Sequence, residues 1–189
     1  MSLRPAFISI ERATAITGVK PSESYSLPKL MWIKNNEPEI FAKARYVMLI
    51  EDFVIYLLTN ERVIDYSLAA RSMAFDIHSL SWSKEILDAA GIPLEMFSKP
   101  VPTGAIAAMT PDGMKVVAGG HDQVACAVGA GVFDVGIAAE GAGTVECITP
   151  VFADIPSSSL FQNDNYCIVP YFGKFVTYAY SYTGGELCR

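Results

Sequence analysis

The stretch from Val116 to Gly131, V-V-A-G-G-H-D-Q-V-A-C-A-V-G-A-G, limits what this chain can fold into more than any other. Val116, Val117 and Ala118 predict a short strand. A glycine pair breaks it, and after His121-Asp122-Gln123 the small residues Ala125, Ala127 and Ala130 suit a tightly packed helix. A strand passing to a helix through glycines marks an α/β fold, and open α/β sheets place ligands beyond the carboxyl ends of their strands. Asp122 then sits where a ligand would. Asp is also a favoured N-cap, because its carboxylate accepts free amide hydrogens of the first helical turn, so a cap and a ligand-facing acid are both open and compatible.

The rest of the chain supplies helices first and strands afterwards. Residues 4 to 23 mix apolar and polar positions around a turn at Thr17-Gly18 and read as weak structure. Helices are expected from Ser24 to Asn36, with Pro28 in the first turn and Leu30, Trp32 and Ile33 as an apolar stripe, then from Pro38, and from Glu51 to Thr59. Asp65-Tyr66-Ser67 reads as a turn and Ser72 to Ile77 as a short strand. Ser83 caps a further helix that stops at Gly91. A strand near Gly104 to Ala108 and a Pro111-Asp112-Gly113 turn lead into the central stretch. Beyond Phe133, alternating segments at 137–140, 145–148, 166–169 and 175–180 predict a β meander. A domain boundary is therefore expected between 132 and 133.

Composition removes several function classes. With 14 basic and 20 acidic residues and a net charge of −6, the chain lacks the basic stripe that phosphate backbones require, so nucleic acid is not an expected partner. The best candidate for a membrane span, Tyr46 to Thr59, is interrupted by Glu51-Asp52. Neither a membrane nor a secretory route is expected. Cys126, Cys147, Cys167 and Cys188 lie about twenty residues apart with no C-x-x-C pair. That is neither a zinc pattern nor a disulfide scaffold, and a reducing, cytoplasmic location follows. Asp52, Asp65 and Asp76 are each accounted for by loop caps and turns, so no metal site is assigned.

Several of these segments together resemble the FGGY carbohydrate kinases, the group containing glycerol kinase, xylulokinase and gluconokinase. Ser24-Tyr25-Ser26-Leu27-Pro28-Lys29-Leu30-Met31-Trp32-Ile33-Lys34-Asn35-Asn36 fits the family's first signature. Asp52 with Leu57-Leu58-Thr59, Asp65-Tyr66-Ser67 and Trp82 follow in the family's order, with Asn60 where the family has glycine. Gly119-Gly120-His121-Asp122-Gln123 resembles the catalytic segment and Gly143-Thr144 a phosphate turn. By itself the latter is an ordinary hairpin turn.

The resemblance implies an α/β, ribonuclease H-like (actin-type ATPase) fold, present here incompletely. Residues 4–132 would be the C-terminal part of the first, sugar-binding domain, and 133–189 the opening strands of the second, ATP-binding one. It implies an ATP- and Mg²⁺-dependent phosphotransferase acting on a hydroxyl of a sugar, polyol or sugar acid. Asp122 would be the general base, Gln123, Ser24 and His121 substrate contacts, and Gly143 and Thr144 phosphate contacts. Ser24 stands where glycerol kinases place tyrosine, which argues against glycerol.

The family's amino-terminal D-x-G-T-type turn and its adenine pocket are not in the chain as given, which is therefore expected not to transfer phosphate by itself. Unpaired strand edges of an incomplete domain favour a homodimer. A non-enzymatic sugar-binding or oligomerisation module derived from a kinase is the alternative. An α/β hydrolase is disfavoured, because there is no G-x-S-x-G elbow.

Overall fold

A computed structural model describes residues 8–143, 146–156 and 167–181. The chain opens with helix α1 (Ile10–Thr17), where weak structure was expected. The Ser9 hydroxyl accepts the Arg12 amide hydrogen at 3.1 Å, and Gly18 at φ 68° ends the helix. Two caps and the buried face of Ala13, Thr14, Ile16 and Thr17 compensate for a mixed sequence. Helices α2 (Ser26–Asn36), α3 (Pro38–Lys43) and α4 (Ile50–Thr59) lie where expected. Asn60 ends α4 at φ 60°, a left-handed position that asparagine tolerates in place of the family's glycine.

Strand β1 (Val63–Asp65) runs parallel to β4 (Lys99–Val101). Between them come α5 (Tyr66–Ala70), the β2 (Phe75–Asp76) and β3 (Ser81–Trp82) pair, α6 (Lys84–Ala90) and a 3₁₀ turn (Leu94–Met96). The strand expected from Ser72 shrinks to two residues because Met73 takes φ 64°, which no strand accommodates. Strands β5 (Ile106–Met109) and β6 (Lys115–Val117) form a hairpin across the predicted turn, and α7 (Asp122–Gly129) follows. In α7 the small-residue expectation holds only partly. Val124 and Ala127 face the core, whereas Ala125 and Ala130 are exposed.

The second sheet contains β7 (Ala138–Gly141), β8 (Glu146–Phe152), β9 (Ile168–Tyr171), β10 (Lys174–Thr177) and β11 (Ala179–Ser181). It departs from a sequential meander. Strand β8 skips β9 and pairs antiparallel with β10 and β11 along one edge and β7 along the other. Strand β9 closes the outside of β10.

One apolar core joins the two parts of the chain. Leu27, Phe75, Leu87, Val124 and Ala127 belong to the same buried cluster as Val151, Val169, Tyr171 and Val176. The Tyr171 hydroxyl donates to the Val132 carbonyl at 2.7 Å, and Val19 bridges to Cys167. Of the two tryptophans, only Trp82 is buried in the core. Trp32 is 48% exposed on α2, because the helix buries Leu27 and Pro28 instead.

Trp82 packs between Phe75 and Phe97 at 5.8 and 4.6 Å, and its indole N–H donates to the Ser98 carbonyl at 2.7 Å. Trp82→Phe strands that carbonyl and opens a gap, so stability should fall by about 1–3 kcal/mol in urea denaturation.

Candidate active site

The loop between β6 and α7 is fixed by side chains from two distant segments. The Glu51 carboxylate accepts two backbone hydrogens, from Gly120 at 2.9 Å and from Asp65 at 3.0 Å. It thereby ties the start of α4 to the end of β1 and to the loop. The Ser67 hydroxyl accepts the His121 amide hydrogen at 2.8 Å. Asp65, wholly buried, accepts from the Ser67 and Leu68 amides at 2.8 and 2.9 Å and from the Thr103 hydroxyl. The bonds accepted by the Glu51 and Asp65 carboxylates are charge-assisted, and each is stronger than its neutral counterpart. Burial pushes the Glu51 carboxyl above its usual range, and the Gly120 and Asp65 amides pull it back.

The loop's own side chains then take defined places. The N-cap of α7 is His121, with φ −61° and ψ 145°, so the cap reading of Asp122 is corrected. Asp122 is the first helical residue. Its Oδ1 accepts the Gln123 amide hydrogen at 2.7 Å, and its side chain is 79% exposed. His121 is largely covered. Its ring stacks on Tyr178 at 5.1 Å, and Nδ1 lies 2.9 Å from Asp122 Oδ1. Gln123 Oε1 lies 3.7 Å from where a Cβ on Gly141 would sit, which turns it toward β7. The structure thus gathers Asp122, His121 and Gln123 at the start of α7.

The other expected site residues come from other segments of the chain. Ser24 is exposed, with its hydroxyl 3.0 Å from the Ser22 hydroxyl. Gly143 is exposed just past β7, and Thr144 lies outside the described residues. Three groups that sequence reasoning missed lie close by. The Arg71 guanidinium sits 5.2 Å from the Tyr25 ring and 5.9 Å from that of Tyr178. No spacing signals this cluster, because Tyr25, Arg71 and Tyr178 meet only through tertiary packing.

Burial lowers the His121 imidazole below its ordinary value of 6.5, and the Arg71 charge adds to this against the pull of Asp122 and Asp65. Between that lowered value and 6.5 the unfolded chain holds the extra proton, so stability falls as pH drops through the interval. Urea denaturation at pH 7 and pH 5 should therefore show a larger acid loss for the wild type than for His121→Asn. Glu51 drives stability the other way in acid, but it is common to both proteins and cancels.

Among the described residues no three His, Cys, Asp or Glu side chains come together to hold a metal ion, and no helix is long and apolar enough to cross a membrane. Asp52 accepts from the Ser98 hydroxyl at 2.6 Å and Asp76 from the His78 amide at 2.8 Å. Well-formed cavities lie elsewhere. One of about 460 Å³, lined by Tyr46, Tyr56, Arg62, Trp82 and Lys99, opens at the amino ends of β1 and β4, opposite the loop.

Comparison with known proteins places this geometry in a family. The profile of the FGGY family of carbohydrate kinases, N-terminal domain, matches residues 6–141. The xylulose kinase of Lactococcus lactis subsp. lactis (strain IL1403) is 32% identical over 166 residues, covering 81% of this chain and 33% of that protein. The L-fuculokinase of Escherichia coli (strain K12) is 34% identical over 134 residues, covering 66% of this chain and 28% of that one. The chain thus spans about a third of the length of the curated relatives it matches.

Among solved structures, the xylulose kinase from Rhodospirillum rubrum superposes with TM-score 0.85 at 23% identity, over 96% of this chain and 38% of that one. Plasmodium falciparum glycerol kinase with ADP superposes with TM-score 0.84 at 18% identity, over 97% and 40%. The fold is accordingly the ribonuclease H-like, actin-type α/β fold of these kinases, represented in part. With a family profile over most of its length and this fold, the chain belongs to the FGGY family of carbohydrate kinases.

Proposed function

We propose that this chain carries the general base of an ATP-dependent carbohydrate kinase, and that Asp122 is that base. The observation that carries the reading is an exposed carboxylate at a helix start, on a loop whose backbone is held by Glu51 and Ser67. In this reading the acceptor hydroxyl of a sugar, polyol or sugar acid attacks the γ-phosphorus of ATP. Its O–P bond forms as the bond to the β-phosphate oxygen breaks, ADP leaves, and the hydroxyl proton goes to Asp122. Phosphoryl transfer depends mostly on positioning and charge neutralisation, which a rigid loop serves well.

His121, Gln123 and Ser24 contact the acceptor, and Gly143 and Thr144 approach the phosphates. Residues 4–132 act as part of the sugar-binding domain and 133–189 as the opening of the nucleotide-binding one. The described residues offer no carboxylate cluster that fits Mg²⁺, so no step is assigned to the ion in this chain. Free thiols at Cys126, Cys147 and Cys167 suit a cytoplasmic setting.

The test is ADP release with ATP and Mg²⁺ over a panel of sugars, polyols and sugar acids. It is run on the 189-residue chain and on the longest polypeptide its gene encodes. One acceptor should stimulate release from the longer polypeptide alone. The absence of any stimulating acceptor there overturns the kinase reading. Tight ATP binding by the 189-residue chain in calorimetry overturns its expected inactivity.

A further inference from the structure

We propose that Arg71 binds the carboxylate of a sugar acid, which narrows the acceptor to that class. The proposal rests on the kinase reading for what happens to the acceptor, and on the surroundings of Arg71 for its charge.

Arg71 stands at the carboxyl end of α5, and only part of it is exposed. Its guanidinium lies 5.2 Å from the Tyr25 ring and 5.9 Å from the Tyr178 ring. Such contacts use the charge of a guanidinium without spending its N–H donors. Among the described residues no carboxylate forms an ion pair with it. Asp65 is taken up by the Ser67 and Leu68 amides and the Thr103 hydroxyl, and Asp122 by the Gln123 amide. Burial pushes the nearby Cys167 thiol above its ordinary value, so it supplies no negative charge at neutral pH. A half-buried cation without a counter-ion is costly, and two aromatic rings recover only part of that cost.

A second unmet group belongs to the same cluster. The Tyr178 hydroxyl is buried and finds no hydrogen-bond partner among the described residues. The cluster therefore carries a spare donor as well as a spare charge, and an anionic ligand group answers both.

Its place in the fold fits an acceptor. Tyr25 directly follows Ser24, and the Tyr178 ring stacks on His121 at 5.1 Å, one residue before Asp122. Arg71 thus joins the start of α2 to the loop before α7, the two segments from which acceptor contacts are proposed. The guanidinium borders an acceptor held by both.

The anion is a carboxylate rather than a phosphate. One planar guanidinium matches a single negative charge and a two-oxygen fork. A phosphate dianion needs further cations, whereas the other charges acting on Tyr178 and His121 are those of Asp65 and Asp122, both negative.

Calorimetry without ATP, on the longest polypeptide the gene encodes, tests this separately from phosphoryl transfer. The probes are five- and six-carbon aldonic acids, each beside the alditol of the same configuration, and inorganic phosphate. One acid should bind at least about tenfold tighter than its alditol. Binding of no acid, alditols bound as tightly as their acids, or phosphate bound in preference to every acid overturns the proposal.

Arg71→Met removes the charge and should weaken that acid by about tenfold or more, leaving its alditol within about twofold. Arg71→Lys keeps a cation but not the fork, and it should fall between the two. Equal weakening of acid and alditol by either variant makes Arg71 structural and overturns the proposal. Should the methionine variant unfold, the lysine variant and the wild-type ratio of acid to alditol decide it. If the acid binds through Arg71 but stimulates no ADP release, the kinase reading fails and the carboxylate site stands. If a neutral sugar is phosphorylated and no acid is preferred, the reverse holds.

Discussion

Asp122→Asn is expected to lower acceptor-dependent ADP release by about 10²- to 10⁴-fold, the span that general-base removal covers, with a much smaller change in the KM for the acceptor. Asparagine makes this a clean comparison. Its side-chain oxygen can still accept the Gln123 amide hydrogen, which Asp122 now takes at 2.7 Å, so the start of α7 keeps its bond. The side chain is 79% exposed, and little packing is lost. What disappears is the ability to take a proton.

The loose transition state of phosphoryl transfer leaves much of the catalysis to positioning, and the outcome is expected toward the lower end of that range. The measurement is kcat and KM for wild type and variant, with urea denaturation of both to show equal stability. A variant as active as the wild type would reduce Asp122 to an acid that favours a helix start.

The position of Asp122 is legible in the sequence because strand, glycine pair and small-residue helix lie within sixteen consecutive residues, Val116 to Gly131. The identity of the cap is not. Aspartate is the commoner N-cap, and only the three-dimensional loop shows His121 one residue earlier, with Asp122 already helical. What supports the loop is less legible still. Glu51 reaches Gly120 across 69 residues and Ser67 reaches His121 across 54, separations over which no local pattern operates.

The fold shows the same division. Helices α4 and α6 could be read from their stops, Asn60 and Gly91, both of which take the left-handed conformation those residue types permit. Helix α1 was obscured because its capping residues flank a stretch with no clean apolar stripe. The strand from Ser72 was overextended, since methionine gives no warning of the positive φ at Met73. The pairing of β8 with β10 rather than β9 reflects long-range register, which alternation along single strands does not encode.

Gly120→Ala is expected to destabilise the chain by about 2–5 kcal/mol and to abolish transfer in the longer polypeptide, through backbone strain and overpacking together. Gly120 takes φ 94°, a value that L side chains rarely adopt. A Cβ there would lie 2.9 Å from the Thr103 methyl, 3.0 Å from Ser67 Oγ and 3.1 Å from Asp65 Oδ2. The last two cannot retreat cheaply, because Ser67 holds the His121 amide and Asp65 caps α5.

The glycine backbone would have to move instead, and its 2.9 Å bond to Glu51 would go with it. The neighbouring Gly119 provides the control, since nothing lies within 4 Å of its would-be Cβ. Gly119→Ala should change stability by no more than about 0.5 kcal/mol. Urea denaturation of the two variants separates the cases. A similar small loss in both would mean that the loop is slack at Gly120, and that the Glu51, Asp65 and Ser67 contacts do not fix where Asp122 points.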